Sequence, residues 1–179
     1  MDSRVLNAYA RMGFTVTVDP NAAYAGHFDA RSRSITIQEA DETIYHELGH
    51  FLAFIAGNVD QSSAFASVYN SEKAKFTGYN KAYATQNAAE YFAESVKDYM
   101  LNGAALSSQR PNTYKAIQSA LNTVTTARAD VILKQKVCSR KRYKVLQSAQ
   151  ELDGRSKPAG GVYVAGKCKE RLQGGLYCI

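Results

Sequence analysis

Ile44-Tyr45-His46-Glu47-Leu48-Gly49-His50-Phe51-Leu52-Ala53-Phe54-Ile55 is the stretch from which the rest of the chain is read. Ile44, Leu48, Phe51, Leu52 and Ile55 recur at helical spacing and mark one buried stripe. Asp41 and Glu42 stand where carboxylates suit the first turn of a helix, and Gly57-Asn58 supplies a stop. Within this helix, His46-Glu47-Leu48-Gly49-His50 is an H-E-x-x-H. Positions four apart share a helix face, so the two imidazoles can ligate one zinc ion, with Glu47 beside them as a candidate general base. Gly49, with no side chain, leaves room for a neighbouring segment to approach.

A catalytic zinc needs three protein ligands and an open position for water. The chain has only three histidines, and none follows His50. His27 reads as an ordinary strand or loop residue. The third ligand is therefore sought among downstream acids on a well-fixed helix. Asn87-Ala88-Ala89-Glu90-Tyr91-Phe92-Ala93-Glu94 is the best candidate segment. Glu90 and Glu94 are four apart and share a face of an otherwise apolar helix. That pair suits one metal ligand and one acceptor that orients a ligating histidine.

Taken together, the H-E-x-x-H and the later block Tyr83-Ala-Thr-Gln-Asn87-Ala-Ala-Glu90-Tyr91-Phe92-Ala93-Glu94 resemble the catalytic domain of the lethal factor and Pro-Pro endopeptidase family of zinc metallopeptidases. The resemblance runs from about Thr15 to about residue 130 and is tight in the two motif blocks. It implies a zincin-like fold and zinc ligation by His46, His50 and Glu90. It makes Glu47 the general base for a zinc-activated water. It makes Tyr83 the donor to the oxyanion of the tetrahedral intermediate, with Tyr79 as the fallback, and sets Glu94 behind the ligands. It also implies a secreted or delivered effector.

The order of elements predicts an α+β fold. A helix is expected over 3–12 and strands over 14–18, 27–30 and 34–38. Further helices are expected over 62–75, 87–101 (closed by Asn102-Gly103) and from Pro111 to about Val124. Residues 76–85 read as a connection. Ser34 to Ile37, taken as an edge segment, would pair with an extended peptide substrate by strand addition.

Charge splits the chain. Residues 131–179 carry 11 Lys/Arg against 3 Asp/Glu, while the preceding 130 residues carry 11 against 13. Cys138, Cys168 and Cys178 all lie in that basic segment. The expected division is a metallopeptidase domain over 1–130 and a basic appendage over 131–179. Gly161 to Ala165 and Leu176 to Ile179 look strand-like. The cysteines form no C-x-x-C pair, which argues against a structural zinc; one disulfide with a free thiol, or three free thiols, both stay open. The basic cluster reads first as solvated surface, and second as a patch for nucleic acid or an anionic membrane. A catalytically silent zincin scaffold that binds through this tail is the alternative to a peptidase. No apolar run is long enough to cross a bilayer, and no secretory signal is visible at the N-terminus.

Overall fold

The computed structural model describes residues 1–134, all within one compact unit, Met1–Arg140. The expected strands at 161–165 and 176–179, the three cysteines and the basic cluster at 140–142 lie outside the described residues.

The chain opens with α1 (Ser3–Arg11), whose first turn is capped by Asp2 accepting from Arg4 N. Three short strands follow: β1 (Thr15–Val18), β2 (Gly26–Asp29) and β3 (Ser34–Ile37). They form a sheet in the order β1-β3-β2. β3 runs parallel to β1, with Val16 opposite Ile35, and antiparallel to β2, with Phe28 opposite Ile35. This corrects the reading of Ser34–Ile37 as an edge. Both sides of β3 are already hydrogen-bonded, so no peptide can add there. β3 is central because Ile35 and Ile37 are its buried positions, whereas every residue of β1 is exposed.

The motif helix is α2 (Thr43–Ile55). Asp41, not Glu42, supplies its cap, accepting from Thr43 N at 2.9 Å. At the other end Gly57 N donates to Phe54 O and Asn58 N to Ala53 O, the paired bonds of a Schellman ending. Gly57 takes the positive φ this ending requires, and Asn58 after it is left-handed as well. The Arg128 guanidinium covers that terminus and donates to Ile55 O at 2.9 Å, a cation at the negative end of the helix dipole. Arg128 belongs to a helical segment at 126–134, also tied to α1 through Arg11 and Asp130.

α2 is not amphipathic in the simple sense the stripe implied. Leu48, Phe51, Leu52 and Ile55 are buried, but so are His46, Glu47 and Gly49. The second face is covered by α5 (Ala88–Gln109), the most extensive helix–helix contact in the fold. On the first face Tyr9, Phe14, Phe28, Phe51 and Phe54 stack edge and face, with Phe14 and Phe51 centroids 5.0 Å apart. Beyond α5 a second aromatic group joins it to α3 (Ser63–Glu72), with Phe65 and Phe92 at 5.1 Å.

Two differences in the helical half have local causes. The connection before α5 contains a short α4 (Lys81–Ala84), started by Asn80 in the left-handed region with its side chain accepting from Tyr83 N. α5 also does not end at Asn102-Gly103. Asn102 leaves helical geometry, its side chain re-caps the chain through Ala105 N, and the helix resumes after a kink. α6 (Pro111–Thr123) begins with proline in its first turn as expected.

Candidate metal centre

His46 and His50 project from the middle of α2 towards the first turn of α5, where Glu90 waits. Asn87 caps α5 by accepting from Glu90 N at 2.9 Å, which fixes Glu90 three residues into the helix. A carboxylate there also meets the positive end of the helix dipole. The crossing that joins the two helices is tight. A Cβ built on Gly49 would stand 2.7 Å from Ala93 Cα and 2.8 Å from Ala93 O. Only glycine at position 49 permits this separation, so the space anticipated there is filled by the backbone of α5.

The consequence is a compact triangle. His46 Nε2 lies 3.2 Å from His50 Nε2 and 3.2 Å from Glu90 Oε2, and His50 Nε2 lies 3.7 Å from the same oxygen. Zinc ligands at about 2.0–2.2 Å in tetrahedral array stand roughly 3.3 Å apart, so the three atoms have the spacing of a chelating set. Glu90 Oε2 is buried and makes no well-formed hydrogen bond. A buried carboxylate oxygen without such a bond, facing two imidazole nitrogens, fits a cation between them. His46, His50 and Glu90 are the group among the described residues that could hold a metal ion.

Behind this triangle, His46 Nδ1 lies 2.8 Å from Glu94 Oε2. An N–H at Nδ1 donating to this carboxylate would leave the Nε2 lone pair directed at the triangle. Burial alone would lower the His46 imidazole, but Glu90 and Glu94 outweigh it and hold it up at about 9. In turn the His46 and then the His50 imidazole hold Glu90 well below the usual carboxylate range.

Glu47 and Tyr83 share a pocket of about 270 Å³ with the three candidate ligands and with Gly26, His27 and Phe28 of β2. Glu47 is 4% exposed, and burial pushes its carboxyl up against the opposing pull of His46 and His50. Tyr83 is half-exposed on α4, with its ring 6.1 Å from that of His46. Burial, then the adjacent Glu90 carboxylate, raise its phenol. Tyr79 is 97% exposed and does not line the pocket, so geometry favours Tyr83. His27 lines it from β2, a placement that its reading as an ordinary residue had not given it. Asp60, in a turn of 3-10 helix at Val59–Gln61, also escaped the sequence reading. It is buried with Oδ1 unpartnered; burial raises its carboxyl and His50 partly offsets that. No local pattern marks it, because its neighbour His50 belongs to a different element.

Fold and site together define an α+β protein with a His–His–Glu group, fit to hold a metal ion, where two helices cross. Residues 11–120 match the family described as anthrax toxin lethal factor, N- and C-terminal domain, and the chain belongs to that family. The matched span includes every residue of the group. No individually curated protein matches the chain.

Proposed function

We propose that the protein is a zinc-dependent endopeptidase with a zincin-like catalytic domain. In this reading His46, His50 and Glu90 hold the ion, Glu47 is the general base and Tyr83 is the oxyanion donor. The observation that supports it is the ligand triangle, with spacings of 3.2, 3.2 and 3.7 Å, opening into a pocket that also contains a buried carboxylate and a phenol. When bound, zinc supplies Lewis-acid polarisation of the scissile carbonyl and a water acidified to a pKa of about 7.

Glu47 takes a proton from the attacking water and passes it to the leaving amine. Its burial keeps bulk water from competing for that proton. Tyr83 donates a hydrogen bond to the carbonyl oxygen as negative charge gathers there; removing such a donor typically costs about 10²–10³ in rate. Glu94 holds the His46 ring in one tautomer and one orientation. An extended peptide would run along β2, the strand that borders the pocket and has no second neighbour among the described residues. Membership of a toxin family supports a secreted or delivered effector, and among the described residues no helix is long and apolar enough to cross a membrane.

The test is metal analysis with cleavage of a peptide library, comparing wild type and Glu47→Gln. The variant is expected to retain about one zinc per chain, since Glu47 is not a ligand, while losing cleavage. Absence of zinc from wild type, or undiminished cleavage by the variant, overturns the proposal. Zinc binding without cleavage by wild type would favour the silent scaffold instead.

A further inference from the structure

β2 passes so close to the first turns of α2 that a side chain at position 26 has no room. A Cβ built on Gly26 would lie 2.4 Å from Glu47 Oε1, 2.9 Å from Glu47 Cδ and 2.6 Å from Thr43 Cγ2. The backbone itself does not demand glycine here. The positive-φ glycines among the described residues are Gly13 and Gly57, and Gly26 is a regular strand residue paired with Ile37. What excludes a larger residue is the occupant of the space.

The two obstacles yield differently. Thr43 is β-branched and stiff about χ1, at the first position of α2, with its backbone N–H held by Asp41. The sheet cannot retreat either, because Phe28, two residues along β2, stacks on Phe14 at 5.7 Å and meets Phe51 and Phe54. The Glu47 carboxylate is the free end of an unbranched side chain. A methyl group at position 26 would therefore be accommodated by moving that carboxylate.

We propose that Gly26 is a positioning residue whose bare backbone forms the wall that fixes the Glu47 carboxylate beside the metal ligands. The inference rests on the zinc-peptidase reading of this site. It joins two parts of that reading, since the strand bordering the substrate path also confines the base.

The experiment uses the full zinc-loaded chain as wild type, Gly26→Ala, Glu47→Ala, the double variant, and Gly26→Ala with Thr43→Ser. Four quantities are measured: melting temperature, zinc affinity by chelator competition, acetohydroxamate affinity, and kcat with KM. Acetohydroxamate hands a proton to a nearby carboxylate as it binds a metal, so its affinity reports on Glu47 without turnover. Gly26→Ala is expected to keep its zinc affinity and KM and to lose about 100-fold in kcat, the scale of a small misplacement of a reacting group. It should weaken acetohydroxamate in the wild-type background and have no effect in the Glu47→Ala background. Thr43→Ser, which removes the Cγ2 beside the new methyl, should restore part of kcat.

Wild-type kcat and acetohydroxamate affinity in Gly26→Ala would overturn the proposal. So would an equal loss of acetohydroxamate affinity in both backgrounds, or a fall in melting temperature and zinc affinity that Thr43→Ser does not reverse. Should wild type bind zinc and acetohydroxamate but cleave nothing, the peptidase reading fails while the acetohydroxamate cycle still decides the role of Gly26.

Discussion

α2 is approached at contact distance from two sides, each time at a glycine. At Gly49 the obstacle to a methyl group is the backbone of Ala93, Cα and carbonyl oxygen together. At Gly26 the yielding obstacle is the end of the Glu47 side chain, with the Thr43 methyl beside it. Backbone obstacles are stiff and shared by a whole helix; a carboxylate end is soft and belongs to one residue. The first contact therefore sets the separation of α2 and α5, and the second bears on the place of a single carboxylate. On the function proposed above, metal holding and proton transfer depend on different contacts on different faces of one helix, and each should be breakable without the other.

Gly49→Ala should have the largest effect. Overpacking of a filled contact costs about 1–3 kcal/mol, and the strain is relieved by moving α5 away from α2. We expect a lower melting temperature together with loss of zinc retention, read by thermal unfolding and chelator competition. A variant that keeps wild-type zinc affinity would show that the crossing does not set the ligand triangle. Glu94→Ala comes next. It leaves the crossing intact and frees the His46 ring, so zinc affinity should fall about 10–100-fold with little change in fold. An unchanged affinity would remove Glu94 from any orienting role.

The smallest effect lies away from both contacts and serves as a control. The Glu72 carboxylate is buried and accepts from Thr113 N, Thr113 Oγ1, Asn112 N and Asn112 Nδ2, closing the start of α6. Burial pushes this carboxyl up, but the Thr113 and Asn112 donors win and bring it below its ordinary 4.5. A carboxyl lowered by folding stabilises fully above its unfolded value and loses that contribution as pH falls through the folded one. Glu72→Gln should therefore cost about 1–3 kcal/mol at neutral pH, and the gap to wild type should narrow in acid below about 4.5. Zinc affinity at neutral pH should not move. If it does, metal holding follows the stability of the whole fold and not the Gly49 crossing in particular.

The sequence was most informative where a signal is local. His46, Glu47 and His50 lie within one helical turn, and the structure brings them and Glu90 to one pocket. The Schellman stop at Gly57-Asn58 and the proline start of α6 are likewise short-range patterns. Pairing order in a sheet is not local. Ser34–Ile37 alternates like an edge strand in isolation, and only the arrival of β1 on its far side makes it central. Asn102-Gly103 carries a genuine stop signal: Asn102 does leave helical geometry, but its side chain then caps a new turn through Ala105 N, so the chain kinks there and the helix resumes. The α4 turn had a readable mark in Asn80, a residue that tolerates positive φ and caps the turn carrying Tyr83. Gly26 had none, since the group that excludes a side chain there is 21 residues away in sequence.

The closeness of Gly49 to Ala93 also changes when the cost of building the site falls due. Two imidazoles and a carboxylate are collected as the core closes, so the conformational entropy of gathering them is met by hydrophobic burial at folding. An arriving ion has little ordering left to impose. The relation runs in both directions, because an ion that binds only the folded chain adds to stability as RT ln(1 + [L]/Kd), about 4 kcal/mol at a thousandfold excess over Kd. With an ion held by the His–His–Glu group, helix packing and metal supply would become interchangeable: a slacker crossing would be offset by more free ion, and scarcity of ion by a tighter crossing.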